Sequence, residues 1–282
     1  MKHILPIAGL ILTLLACNKA GGQANGVIEI SSPIITVNEP TNAMVEVINN
    51  SDSVINEEQQ NILVYNRSAG NFIIAIDPGH QERGNFELEP IGPGASQNKA
   101  KVATGTRGVS TKVPEYKLTL KVSLKLRDEL SARGYNVFMI RETNDVNISN
   151  RERAAMAAET GADIFVRIHA DGSGDSSVNG ILTICPTSRN PYIPQLYTQS
   201  RALSEDILSA MAVATGAKKR GVLEVDNMSG INWSAIPVTI VEMGLMTNPT
   251  EDRLMQTEEY QRKLVIGIAD GIEQYFMKNG YE

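Results

Sequence analysis

The sequence predicts an α/β fold: a single three-layer domain with a largely parallel central sheet flanked by helices. From residue 71 onward, short apolar runs rich in β-branched residues alternate with longer runs that have helical periodicity. Such alternation is typical of parallel sheets, because parallel neighbours need a crossover connection and a helix usually supplies it. The strand candidates are residues 72–77, 135–141, 163–169, 180–185 and 236–241.

Helix signals between these strands support the same architecture. Ser149 and Glu152 have the spacing of a capping box before an Ala-rich run, which Gly161 ends. A second helix is predicted to end near Gly216, and Thr257 is a candidate cap for a third. Their apolar stripes are Leu203, Ile207 and Met211 in the second helix, and Leu264, Val265, Ile268 and Ile272 in the third.

The segment 114–133 has two possible interpretations. Apolar residues recur at every second position over residues 116–126, which is strand periodicity. However, the run continues through polar residues to Gly134, and Pro114 suits the first position of a helix. We therefore predict a helix over 114–133, with Glu115 in its first turn, where the helix dipole favours an anion.

The first 70 residues differ in composition from the rest. Residues 1–16 combine a basic start with an apolar run that is too short to span a bilayer, which predicts a signal peptide. The sequence Leu-Leu-Ala-Cys at 14–17 resembles a bacterial lipobox and implies a lipidated Cys17; an incidental cysteine after an ordinary secretory signal is the alternative.

Residues 17–70, rich in Asn, Ser, Gly, Glu and Gln, are predicted to be a flexible tether, with a small β element as the alternative. The catalytic domain is then residues 71–282.

Composition narrows the possible functions. Hydrophobic residues make up 42% and charged residues 21% of the chain, which is ordinary for a globular protein. The net charge is −6 and no basic block exists, so a nucleic-acid partner is excluded. Cys185 lies in a strand-like apolar run and is expected to be a buried thiol rather than a nucleophile. With lipid on Cys17, no intramolecular disulfide is possible.

Three of the strand candidates lead into residues that can bind metal or transfer protons: His80, His169 and Glu242. In α/β sheets, chemistry gathers at the carboxyl ends of strands. Together with Glu115, they indicate a zinc hydrolase with His80, Glu115 and His169 as ligands and Glu242 as a general base. Their spacing matches no local zinc motif, so a plain turn before His80 and two structural acids are the alternative interpretation.

The sequence around these residues resembles the signature blocks of the zinc-dependent N-acetylmuramoyl-L-alanine amidases, in that family's order. The blocks are Ile-Asp-Pro-Gly-His at 76–80, Arg-Ile-His-Ala-Asp at 167–171 and Val-Glu-Met-Gly-Leu-Met-Thr-Asn at 241–248. Glu115, at the start of an apolar helix, matches the family's glutamate ligand, and the resemblance covers about residues 72–278.

The resemblance implies hydrolysis of the amide between muramic acid and L-alanine in peptidoglycan. It also implies that His80, Glu115 and His169 bind Zn²⁺ and that Glu242 is the catalytic acid and base. Asp77 or a backbone carbonyl is expected to orient an imidazole, unless Asp77 only caps a turn.

Residues 81–113 depart from the family pattern, and residues 186–195 bear on whether a protein activator is needed. Gln81 follows His80, where the family often has Gly, and residues 81–113 are predicted to form a long loop beside the site. Some family members carry an inhibitory helix, but residues 186–195 here are only a short connection. We therefore expect no obligatory protein activator.

Two other functions remain open from the sequence. A zinc carboxypeptidase acting on the stem peptide would need a cation for a terminal carboxylate, and Arg107 or Arg167 are candidates. A non-catalytic wall-binding lipoprotein would have no need of an acid at position 242. In every case Cys17 predicts an extracytoplasmic protein, anchored by lipid to the bacterial cell membrane and facing the cell wall.

Overall fold

The computed structural model describes residues 72–279. The predicted signal peptide, the lipidation site Cys17 and the tether therefore lie outside the described residues. The strands are β1 (Ile73–Pro78), β2 (Asn85–Pro90), β3 (Asn98–Val102), β4 (Asn136–Met139), β5 (Ile164–Asp171), β6 (Ile181–Cys185), β7 (Lys219–Glu224) and β8 (Val238–Leu245). The helices are α1 (Glu115–Ala132), α2 (Asn150–Glu159), α3 (Tyr197–Thr215), α4 (Ser229–Asn232), α5 (Pro249–Met255) and α6 (Glu258–Lys278).

A six-stranded sheet in the order β4-β1-β5-β8-β6-β7 forms the middle layer. All neighbouring pairs are parallel except β6 and β8, which run antiparallel. The predicted largely parallel sheet is therefore confirmed. Its central strands are mainly apolar in sequence because helices cover both faces, and the charged residues they contain lie towards their carboxyl ends.

Alternate residues of the central strands enter two separate cores. Ile74 and Ile76 of β1 belong to a core that also contains apolar residues of α1, α3 and α6. Ala75, between them, belongs to a second core with Ala154 and Ala157 of α2. Successive side chains of a strand point to opposite faces of the sheet, so helices pack on both faces. The sheet and the two helical layers are the three predicted layers.

Helix termini follow the signals in the sequence. The Ser149 hydroxyl accepts a hydrogen bond from the Glu152 amide, and the Glu152 carboxylate accepts one from the Ser149 amide, which completes the capping box. Gly216 ends α3 in the left-handed conformation, and the Thr257 side chain caps α6. Segment 114–133 is a helix, as predicted, since its residues 118, 122, 126 and 130 form one buried i, i+4 stripe.

The structure also differs from the sequence-based prediction. Residues 81–113 contain the antiparallel hairpin β2–β3 and are not simply a loop. The edge strand β7 and helix α5 were not predicted. Cys185 is buried, and burial raises the pKa of its thiol to about 12, so it is an unreactive core residue as expected. Within residues 72–279, no helix combines the length and apolar character needed to cross a membrane.

Candidate metal and acid–base site

The four predicted site residues lie together at one edge of the central sheet. His169 of β5 and Glu242 of β8 are opposite each other in the parallel register. Both strands extend past these residues, so Glu242 lies within its strand and not after it. His80 follows the end of β1, and Glu115 is the first residue of α1. One ligand atom from each of His80, Glu115 and His169 lies within 4.8 Å of the other two.

The spacing of these atoms suits a tetrahedral metal ion. Glu115 Oε1 is 3.1 Å from His80 Nε2 and 3.1 Å from His169 Nδ1. Ligand atoms at about 2.0–2.1 Å from a tetrahedral ion are themselves about 3.3 Å apart. A donor set of two imidazole nitrogens and one carboxylate oxygen is typical of catalytic zinc, which keeps a further position for water or substrate.

Two buried arginines hold the turn that carries His80. His80 has a φ of 61°, an uncommon backbone conformation for a residue other than glycine. Arg141 donates to the carbonyls of Pro78 and Gly79, and Arg153 donates to those of Pro78 and His80. These hydrogen bonds fix the turn, so the unfavourable φ is stabilised by its surroundings.

Backbone groups orient the imidazole of His80 and the carboxylate of Glu115. His80 Nδ1 donates to the Ala103 carbonyl at 2.9 Å, which leaves Nε2 as the free ring nitrogen facing Glu115. Glu115 is 2% exposed, and its oxygens accept from the amides of Thr106 at 2.6 Å and Ala170 at 3.2 Å. Burial opposes ionisation, but the neighbouring imidazoles of His169 and His80 outweigh it and hold the pKa of Glu115 well below its usual range.

His169 and Glu242 carry polar atoms without partners. Burial lowers the pKa of His169 to about 4, so the imidazole is neutral at neutral pH, which is the form that binds a metal. His169 Nε2 and Glu242 Oε2 are both buried without a hydrogen-bond partner among residues 72–279. Such atoms are rare in folded proteins, and here they belong to two residues that are opposite each other in neighbouring strands.

Burial is also the main cause of the shifted pKa of Glu242. It raises the pKa of Glu242 well above the usual range, and the negative charges of Glu115 and Asp171 act in the same direction. The positive charge of Arg220, which pairs with Asp171 at 2.7 Å, opposes them. A carboxyl group in this environment releases its proton less readily than an exposed glutamate does, and a raised pKa of this kind is common among carboxyl groups that transfer protons.

Two glycines bring the backbone into contact with the candidate ligands. A Cβ at Gly79 would lie 2.4–2.6 Å from three atoms of the His169 ring. A Cβ at Gly105 would lie 2.8 Å from the His80 ring and 2.9 Å from Glu115 Oε2. Neither glycine was identified as a site residue from the sequence, although Gly79 directly precedes His80.

Asp77 does not contact an imidazole. Instead, its carboxylate lies between Arg153 Nη1 at 2.5 Å and Arg167 Nε at 2.8 Å. Burial alone would raise the pKa of Asp77, but the two guanidinium groups lower it to about 2. The backbone carbonyl of Ala103, the other candidate in the sequence-based prediction, orients His80.

Replacing Asp77 with alanine should strongly destabilise the domain. The change leaves two buried guanidinium groups without their shared carboxylate, which typically costs about 3–5 kcal/mol. Urea unfolding followed by circular dichroism measures the free energy of unfolding. Asp128→Ala is the matched control, because its pair with Arg127 is on the surface and is worth less than about 1 kcal/mol. Equal losses in the two variants would contradict this assignment.

Sequence comparison identifies related proteins. Residues 74–274 match the sequence model of the N-acetylmuramoyl-L-alanine amidase family. The chain is 33% identical over 164 residues to the uncharacterized protein YqiI of Bacillus subtilis, covering 57% of this chain and 74% of that protein. It is 26% identical over 214 residues to the N-acetylmuramoyl-L-alanine amidase Rv3717 of Mycobacterium tuberculosis, covering 74% and 88%.

Solved structures share the fold. The amidase Ami1 of Mycobacterium smegmatis has a TM-score of 0.68 and 25% identity, covering 75% of this chain and 99% of its own. The CwlD amidase of Clostridioides difficile, solved in complex with the GerS lipoprotein, has a TM-score of 0.58 and 22% identity, covering 74% and 100%. The solved structures therefore confirm the predicted α/β architecture with its central sheet between layers of helices.

Proposed function

This chain belongs to the N-acetylmuramoyl-L-alanine amidase family, and from that premise we propose that it uses zinc to cleave peptidoglycan between N-acetylmuramic acid and L-alanine. Peptidoglycan amidase activity follows from the family. The choice of metal and the role of each residue are our proposal. The observation that carries it is the convergence of His80, Glu115 and His169 beside Glu242 at the sheet edge.

His80, Glu115 and His169 would hold the metal. Their donor types fit a bound cation, and so do the 3.1 Å separations of Glu115 Oε1 from His80 Nε2 and from His169 Nδ1. Bound Zn²⁺ supplies Lewis-acid polarisation of a carbonyl and lowers the pKa of water towards about 7. The Ala103 carbonyl and the Thr106 amide keep His80 and Glu115 in place throughout the reaction.

Glu242 moves the proton. Its carboxylate accepts a proton from the water that attacks the lactyl carbonyl of muramic acid. The same carboxyl group then donates that proton to the leaving nitrogen of L-alanine. Because Oε2 of Glu242 has no hydrogen-bond partner among the described residues, no competing interaction holds it away from the reacting atoms.

Mass spectrometry of products from purified peptidoglycan tests the activity, with zinc present and no second protein added. Free amino groups on L-alanine are the expected result. Release of a carboxy-terminal amino acid from the stem would instead indicate the zinc carboxypeptidase. Binding without any product would indicate a non-catalytic wall-binding lipoprotein.

The enzyme should need no protein activator in this assay. Between β6 and α3, the described chain contains only a short connection with a single 3-10 turn at Pro194–Leu196. Helix α3 itself buries Leu203, Ile207 and Met211 in the main core and does not act as a removable plug. Activity that begins only after a partner protein is added would contradict this proposal.

Cys17 is proposed to anchor the enzyme to the membrane facing the cell wall. We expect Cys17→Ser to release the protein into the soluble fraction or to leave it unprocessed. A single acyl chain binds a protein to the membrane only marginally, whereas several chains hold it firmly. A diacylglyceryl cysteine carries more than one acyl chain. Fractionation of cells expressing each form measures the effect, with Cys185→Ala as the cysteine control. A soluble wild-type protein would show that no lipid anchor exists.

A further inference from the structure

A pocket of about 300 Å³ adjoins the candidate metal ligands. His80 and His169 line one part of it, and Lys99, Asn150, Arg167 and Ser229 line others. None of its lining residues is acidic. This volume is at the lower end for small-molecule sites, and it is roughly 8 Å across if compact. The site therefore continues from the reacting centre into a space with positively charged walls.

Lys99 supplies a cation with unused hydrogen-bond donors. Its Nζ donates to the Asn227 carbonyl, which occupies one of three N–H groups. Among residues 72–279 it forms no ion pair, whereas Lys101 on the same strand pairs with Glu87 at 2.7 Å. The hairpin that carries Lys99 is fixed to the domain, because Trp233 Nε1 donates to the Pro90 carbonyl at 2.8 Å.

Arg167 adds positive charge to the same pocket. Its Nε and Nη2 donate to Asp77 and Asn150, and its Nη1 lies against Gly230. Asp77 is shared with Arg153, and the negative charge of the buried Glu89 also acts on Arg167. Because the lining residues contribute no negative charge of their own, the pocket favours an anionic group of the substrate.

The chemistry of the substrate indicates which anionic group would bind in this pocket. On the sugar side of the scissile amide, the lactyl acid is already part of the amide and carries no charge. On the peptide side, the residue after L-alanine is glutamate, which has a free carboxylate in some cell walls and a carboxamide in others. Two residues span about 7 Å, which matches the extent of the pocket.

We propose that this pocket binds the carboxylate of the second stem residue and that Lys99 makes the enzyme prefer glutamate there over its amidated form. This inference rests on the amidase function proposed above. Lys99 would donate to the carboxylate with the N–H groups that Asn227 leaves free, and Arg167 would add to the favourable potential. A carboxamide would lose the charge-assisted hydrogen bond.

The test compares kcat/KM for two synthetic substrates, N-acetylmuramoyl-L-Ala-D-Glu and N-acetylmuramoyl-L-Ala-D-isoglutamine, each with its γ-carboxyl blocked as an amide so that they differ only in the α-carboxylate or α-carboxamide, with zinc-loaded full-length enzyme. We expect the wild type to prefer the carboxylate about tenfold. Lys99→Met should abolish most of that preference, and Lys99→Arg should keep it. Lys101→Met removes the same charge two residues away and should leave the ratio unchanged. Thermal melting of each variant checks that the fold is intact.

The outcomes separate this inference from the amidase function. Equal cleavage of the two substrates by the wild type, or an unchanged ratio in a folded Lys99→Met enzyme, would overturn the role of the pocket and leave the amidase function standing. No cleavage of either substrate by zinc-loaded wild type would overturn the amidase function and this inference with it. Loss of preference in Lys99→Met and in Lys101→Met alike would show a general charge effect and would also overturn it.

Discussion

The Glu242→Gln enzyme is expected to keep its fold and its metal while its turnover falls by about 10²–10⁴-fold, the usual contribution of a general acid–base group. Glutamine has nearly the same shape as glutamate but cannot accept a proton from water or deliver one to the leaving nitrogen. Turnover on purified peptidoglycan and zinc content are measured on the same preparation.

The control for this change is Glu259→Gln, which alters the same chemistry at a side chain that is 76% exposed on α6. That variant should behave as the wild type in both measurements. Near-normal turnover in Glu242→Gln would show that the residue is structural. Loss of zinc from this variant would show that Glu242 contributes to the metal site and not to proton transfer.

The second large effect is expected from His80→Ala and His169→Ala. Each removes one of the three proposed protein ligands. Losing a residue that only hydrogen-bonds to a ligand typically lowers metal affinity by about 10–100-fold, so losing a ligand itself should lower it by more than about 100-fold. Competition with a chromophoric chelator measures the affinity directly, without reference to activity. Full zinc occupancy in both variants would contradict the ligand assignment.

A companion variant distinguishes loss of a ligand from displacement of one. Gly79→Ala keeps all three ligands, but its Cβ would overlap the His169 ring. We expect a measurable loss of metal affinity that is smaller than in His169→Ala, because the ring moves and its nitrogens remain. Glu242→Gln serves as the control that retains the metal.

The sequence was sufficient to predict five of the six strands of the central sheet and to indicate that the four candidate site residues lie together, because both rest largely on local patterns. Apolar runs mark the central strands, and the residues that follow or end these runs meet at the carboxyl edge of a parallel sheet. Glu115 was found only by treating 114–133 as a helix in spite of its period of two. The helix is correct because its i, i+4 stripe is the one that enters the core.

The remaining features depend on contacts that no local pattern reports. Arg141 and Arg153 reach the His80 turn from more than sixty residues away. Strand β7 lies at the sheet edge and contains charged residues and a glycine, so it lacks an apolar run. The hairpin β2–β3 exposes Phe86 and Leu88 to solvent, so its apolar residues do not mark a buried face.

The wide separation of the three ligands along the chain determines when the metal can bind. His80, Glu115 and His169 meet only after β1, α1 and β5 have packed, so an unfolded chain offers no pair of neighbouring ligands. On the proposed ligand assignment, metal would bind only the folded domain, and it would stabilise the native state by about 2.7 kcal/mol at a free zinc concentration one hundred times Kd. If the enzyme folds where cell-wall amidases act, the proposed zinc dependence implies that the zinc available outside the cytoplasm sets the fraction of molecules that become active.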